Sequence, residues 1–261
     1  MKFTKKKKIS CIVILIFILI LAFIGLRVYV KYYNQQKIIR YIIVGLMTDS
    51  NNFGTPEERA VITEIDEQFK PLYERFNGCD NRLWNSPILS PQSLENVESV
   101  KQMATDTNCM VEEIPKLWDG ATKLYNELPR EFITKYPEHD FMIREYFKET
   151  ITLNRSDFMI EHTNKQIDYY LKGSEYYGFI LKNYQFLKFT PNEETKIIRI
   201  KFTGPEELKV EYEQLVREAT NAEQVYFDSY KRYAEYTHEF FRKAGIILPD
   251  DAFEDKLDVH T

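Results

Sequence analysis

GPEELKVEYEQLVREATNAEQVYFDSYKRYAEYTHEFFRKAG, residues 204–245, is the stretch whose reading decides the fold. Gly204-Pro205-Glu206-Glu207 opens a helix. Leu208, Tyr212, Leu215, Ala219, Ala222, Tyr226, Ser229, Tyr233, Tyr236 and Phe240 then recur at alternating spacings of four and three. That is the period of one apolar seam on an α-helix. Gly245 stops it, so the seam predicts a rod of about 60 Å at the standard rise. Ala219, Ala222 and Ser229 allow a second helix to come close. An intramolecular bundle is preferred to a dimeric coiled coil, because other helices in the chain also need partners.

Working outward, the chain before this rod carries further helical patterns. Thr55 with Pro56 and Glu58 forms a capping box, followed by Ile62, Ile65, Phe69, Leu72 and Phe76 at helical spacing. Pro71 should kink this helix and Gly78 end it. A second helix is expected from Ser90-Pro91, with Leu94, Val97, Val100 or Lys101, and Ala104 on one face. Pro115 should separate it from a short helix carrying Leu117, Ala121, Leu124 and Leu128, and Pro129 and Pro137 should bracket another. A long helix is expected over residues 138–171, with Phe141, Phe147, Ile151, Phe158 and Tyr170 inside and Gly173 as its stop. Residues 184–189 and 198–202 alternate with period two around Pro191-Asn192-Glu193-Glu194, which predicts a β-hairpin near 184–203. The fold class is therefore mainly α: an N-terminal transmembrane helix, then an elongated helical bundle with one small hairpin.

The 261 residues hold 35 basic and 40 acidic side chains, and the charge is unevenly placed. Nine of the basic side chains and none of the acidic ones fall in residues 1–40, so the other 221 residues carry 26 against 40, a net of −14. An acidic body of this kind repels nucleic acid, and no nucleic-acid partner is expected. A basic head suits anionic lipid headgroups.

Lys5, Lys6, Lys7 and Lys8 precede an uncharged run of 18 residues, 9–26, closed by Arg27 and Lys31. Eighteen residues of helix span about 27 Å, close to the hydrocarbon thickness of a bilayer. Residues 21–25 (LAFIG) lack the small-x-small pair of a cleavage site, and Cys11 stands near the start of the run, where lipidation does not use it. The segment reads as an uncleaved signal anchor with a cytoplasmic N-terminus. The expected organisation is a cytoplasmic basic segment (1–8), a transmembrane anchor (9–30), a juxtamembrane helix and linker (31–54), an exported helical domain (55–245) and an acidic tail (246–261). The anchor places the protein in the inner membrane of a bacterium, single-pass, with its body in the periplasm or outside. Cys79 and Cys109 would then meet oxidising conditions. They would either form a bridge across about 30 residues or remain two thiols that never meet.

The order of elements resembles an uncharacterised family of bacterial envelope lipoproteins (YiaF-like). The resemblance is carried by the membrane-targeting head, residues 35–39 (QQKII), the helix after Thr55-Pro56-Glu57, the strand 198–202 (IRIKF) and residues 211–215 (EYEQL) of the last helix. It implies a helical envelope protein of unknown role and brings no catalytic motif. The lipidated cysteine of that family is missing.

Familiar chemistries lack their residues. There is no Gly-x-Ser-x-Gly, Walker loop, dinucleotide fingerprint or His-Glu-x-x-His. Glu235 and His238 have the Glu-x-x-His spacing of di-iron bundles, but no second such pair accompanies them, and a solvated helix face is the ordinary reading. Glu161-His162 and Glu138-His139-Asp140 could supply acid–base pairs. No cofactor is expected. Eighteen tyrosines include Tyr169, Tyr170, Tyr176, Tyr177 and the band Tyr226, Tyr230, Tyr233 and Tyr236, a candidate binding surface if exposed and core filling if not. Two functions follow. The first is a membrane-tethered, non-catalytic envelope protein whose acidic body binds another protein or peptide in assembly, immunity or sensing. The second is a membrane-anchored enzyme or metal-binding bundle using a carboxylate–histidine site.

Overall fold

The computed structural model describes residues 24–30, 55–79, 94, 96–191 and 198–243. The body is mainly helical: α1 (Pro56–Cys79), α2 (Val97–Lys135), α3 (Asp140–Asn154), α4 (Asp157–Asn183), the strands β1 (Leu187–Pro191) and β2 (Ile198–Phe202), and α5 (Glu206–Lys243). Short 3-10 turns, Pro137–His139 and Tyr184–Phe186, precede α3 and β1. The capping box forms as its residues require: the Glu58 amide donates to Thr55 Oγ1 at 3.2 Å and the Thr55 amide to Glu58 Oε2 at 2.9 Å.

Two helical segments differ from the sequence reading. The pieces expected on either side of Pro115 and Pro129 are one helix of 39 residues, α2, which starts at Val97 with Asn96 as its cap. An internal proline costs about 3 kcal/mol. It is tolerated here because one buried row, Met103, Met110, Ile114, Ala121, Tyr125, Leu128 and Phe132, runs straight through both prolines. Each large member stabilises the helix by about 1.5–3 kcal/mol on burial. The helix expected over residues 138–171 is two. The chain breaks at Arg155-Ser156, where the extended Ser156 caps α4 by accepting from the Met159 amide at 3.2 Å. Gly173, expected as a stop, is buried inside α4, whose packed face continues through Tyr176, Tyr177 and Ile180. Phe141 and Phe158, expected in the core, are 55% and 40% exposed. Phe158 follows the new cap and lies outside, stacked on Tyr236 at 5.0 Å.

The hairpin is antiparallel with Leu187 opposite Phe202 and Phe189 opposite Ile200. Its first strand begins at Leu187, because residues 184–186 turn as a 3-10 helix. The interior forms two apolar clusters. One joins α1, the second half of α2, α3 and Phe241 of α5 around Ile65 and Ile143. The other joins the first half of α2, α4, the hairpin and α5 around Tyr177, with Leu94 and Cys79. Between them lies a polar waist on α4 and α5: His162, Thr163, Gln166, Ser229 and Thr237, all buried.

The seam of α5 also shifts. Ala219, Ala222, Tyr226 and Ser229 are buried as expected, but beyond them the buried line is Tyr230, Ala234, Thr237 and Phe241. A straight helix of 3.6 residues per turn drifts about 20° per heptad against a strict 3.5 repeat, so the face turned to the body moves on by one residue.

Of the expected anchor, residues 24–30 are helical with exposed apolar side chains, and 9–23 lie outside the described residues. So do segments 1–8 and 31–54 and the tail 246–261. Among the described residues no helix is long and apolar enough to cross a membrane.

Candidate functional site

The Ser156 cap sets the phase of α4, turning His162 towards α5. Its ring is enclosed by Tyr226 at 5.2 Å, Tyr230 at 5.5 Å and Tyr233 at 5.6 Å, with Tyr233 parallel to within 3°. The Ser229 hydroxyl donates to the Tyr226 carbonyl at 2.6 Å. Its oxygen therefore accepts from His162, 3.2 Å away, and Nδ1 carries the proton. Tyr169 extends the stack onto Tyr226 at 5.0 Å, and its hydroxyl donates to Glu223. Burial pushes the phenols up, Tyr230 to about 12, so they are neutral at physiological pH.

A second constellation lies between α1, α2, α3 and α5. Asp66 is half-buried, and the Tyr146 hydroxyl donates to its Oδ1 at 2.6 Å. Burial raises the Asp66 carboxyl above its ordinary value, and the Tyr146 bond offsets part of that. The Asn154 amide donates to the Tyr125 hydroxyl at 2.6 Å. Burial raises the phenols of Tyr73, Tyr125 and Tyr146, and the Asp66 charge raises each further. Glu64, two residues earlier and turned about half-way round the helix, makes the contrast clear. It pairs with Lys135 and accepts from Tyr136, and these bonds hold its carboxyl below the usual range.

The residues singled out in the sequence are distributed as follows. Tyr226 and Tyr230 are buried, while Tyr233 and Tyr236 are half-buried. The band thus turns most of its surface onto His162 and Phe158. Cys79 and Cys109 are joined in a disulfide, with Cα atoms 5.4 Å apart, which ties the end of α1 to α2. Glu161 and His162 face different ways: Glu161 bonds Arg232 of α5 at 2.6 Å, and His162 bonds Ser229. His139 lies 3.8 Å from Glu138, and Asp140 holds Arg144 at 2.7 Å. Glu235 is exposed and His238 half-buried. Among the described residues no group of three or more His, Cys, Asp or Glu could hold a metal ion. Arg27 is helical, whereas Lys5, Lys6, Lys7, Lys8 and Lys31 lie outside the described residues.

Sequence reasoning missed Asp66 and the tyrosines around it. The signal was available: Asp66 stands four residues after Ile62 and three before Phe69, so a carboxylate falls on the core-facing row of α1. Comparison with known proteins yields no match to a family model, a curated protein or a solved structure, and so none that bears on the envelope-lipoprotein resemblance.

Proposed function

We propose that this chain is a membrane-tethered, non-catalytic envelope protein whose acidic helical body binds another protein or peptide. The observation that carries the reading is the Cys79–Cys109 bond. Such bonds persist in oxidising compartments and are rare in the bacterial cytoplasm. With four consecutive lysines ahead of an 18-residue uncharged run, the bond supports export with an N-in anchor over residues 9–30. The net charge of −14 outside residues 1–40 favours a basic partner surface. The resemblance of its element order to YiaF-like envelope proteins is in keeping with this reading.

The enzyme reading gains no support from geometry. Glu161 and His162 hold separate partners, and the polar waist is occupied by the chain's own side chains. The test is in-cell crosslinking of the tagged full-length protein, followed by affinity purification and mass spectrometry. One protein recovered in near-equal amount, and recovering this chain when itself tagged, supports a binding module. Recovery of this chain alone overturns it.

A further inference from the structure

We propose that the outer edge of β2 is a strand-addition site for an extended peptide segment of a protein partner, with acidic residues at alternate positions. The inference rests on the reading of the body as a binding module and names the kind of segment that this end of it takes.

The ladder decides which edge is open. The Thr203 amide donates to the Phe186 carbonyl at 2.8 Å, and those two residues continue the register in which Leu187 faces Phe202. Hydrogen-bonded pairs alternate along an antiparallel ladder, so Lys188 with Lys201 and Thr190 with Arg199 exchange the inner bonds. The N–H and C=O groups of Ile198, Ile200 and Phe202 therefore point away from β1. Among the described residues the sheet has two strands, and no third strand takes these groups. The outer edge of β1 is poorer in donors. The Leu187 amide bonds the Tyr184 carbonyl, and Pro191 has no N–H. The edge of β2 thus offers a donor and an acceptor at every second residue, the template with which an added strand pairs.

The edge is also held in place. Phe202 is buried, with its ring 5.1 Å from Tyr212 of α5 and 5.9 Å from Phe179 of α4, and Leu187 opposite it is buried too. A hairpin alone is marginal in water, and this one is seated on two helices before any partner arrives.

Charge selects the occupant. Lys188 and Lys201 stand directly opposite each other, and both are exposed. Lys172 of α4 and Lys209 of α5 are paired with glutamates, whereas Lys188 and Lys201 have no carboxylate partner among the described residues. Like charges facing across a ladder repel, and carboxylates on an adjacent strand relieve them. Arg199 is a further basic residue at the alternate position of β2. This basic strand stands on a body whose net charge outside residues 1–40 is −14. A second copy of β2 brings the same charges and is repelled, so the edge discriminates against self-pairing and in favour of an acidic strand.

The test uses the full-length protein in detergent micelles. The probe is acetyl-Thr-Ile-Glu-Val-Glu-Ile-Thr-amide. It is compared with the peptide carrying Lys in place of both Glu, and with the Glu peptide N-methylated at Val, the residue that would exchange bonds with Ile200. Binding is read from backbone hydrogen exchange by NMR. A saturable slowing at the amides of Ile198, Ile200 and Phe202 with the Glu peptide, absent with the other two, is the expected result. The amides of Arg199 and Lys201, bonded to β1, should exchange slowly without any peptide.

Ile200→Pro removes an outward N–H and no inner bond, and should weaken the Glu peptide at least about tenfold, read at Ile198 and Phe202. Lys201→Glu, at an exposed position, leaves the backbone intact. It should weaken the Glu peptide about threefold or more and strengthen the Lys peptide. Thermal unfolding shows whether Ile200→Pro folds, and Lys201→Glu with the N-methylated peptide tests the same claim without it. No slowing in the native protein, an equal response to the Glu and Lys peptides, or a response that N-methylation leaves unchanged overturns the proposal. Recovery of a partner unaffected by Lys201→Glu, together with no peptide response, would remove this inference and leave the binding reading standing. Peptide binding with no recoverable partner would do the reverse.

Discussion

Around Tyr177 the interior is closed by a disulfide, a hairpin and stacked rings. Around Ile143 it is closed by helices alone. In the first region Phe202 lies 5.1 Å from Tyr212 and 5.9 Å from Phe179, so the sheet caps the ends of α4 and α5 with aromatic contact. Cys79 brings the end of α1 into the same cluster. In the second region α1, α2 and α3 pack through aliphatic and aromatic side chains, and a carboxylate stands among them. The difference teaches where function can be placed. The fastened region holds its buried carboxylate, Asp106, on Gln102 of the same helix at 2.7 Å, whereas the helical region holds Asp66 on Tyr146 of another helix at 2.6 Å.

Five variants would break or sharpen that contrast. The largest effect is expected from Phe241→Ala. Phe241 is buried in the helical region at the far end of α5, and its loss should cost about 3–5 kcal/mol in urea unfolding. A cost below about 1 kcal/mol would mean that α5 does not close that region. Next is Cys79→Ser with Cys109→Ser. Opening a loop of 30 residues should cost about 3–4 kcal/mol in the chain-entropy account, and reductant should do the same to the native protein. Insensitivity of Tm to reductant would remove the covalent half of the comparison.

A smaller gain is expected from Gly178→Ala on α4, where a Cβ meets nothing within 4 Å. Replacing a glycine inside a helix there should add about 0.5–1 kcal/mol. Gly120→Ala on α2 should gain less or lose, because its Cβ would come 2.6 Å from Leu72 Cδ2 and push that side chain away. Equal gains at the two sites, measured by Tm, would deny the close approach of α1 to α2.

Asp66→Asn should produce the smallest change at pH 7, and its pH dependence is the informative part. Burial raises the folded carboxyl above its ordinary value of 3.8. The stability tied to its protonated form is therefore fully present below 3.8 and is lost as pH rises through the folded value. The stability of the Asn variant relative to the native protein should then rise with pH across that interval and level off above it. A flat difference between pH 3 and pH 8 would show Asp66 to be solvated like a surface residue.

Much of the architecture was legible because periodicity is local. The capping box at Thr55, the seam from Ala219 to Ser229 and the alternation at 198–202 each specify an element from neighbouring residues. Proline misled for a physical reason. Its cost is also local, whereas the burial of Ile114, Tyr125 and Leu128 that outweighs it depends on helices distant in sequence. The candidate site was illegible in the same way. Asp66 and Tyr146 stand 80 residues apart and meet only when α1 and α3 pack.

The sequence by itself determined that the body is helical with one hairpin, that its charge is divided into a basic head and an acidic remainder, and that Cys79 and Cys109 stand about thirty residues apart. Hydrophobic period, charge and spacing are properties of the chain. Tertiary structure alone decided that the two cysteines bond, that Ser156 rather than Gly173 punctuates the long helix, and that the buried line of α5 steps from Ser229 to Tyr230. It also decided which carboxylate keeps a lysine and which does not. Those outcomes follow from which faces come together. A helix commits its face to a neighbour by the total area both can bury, and that quantity belongs to the packed molecule.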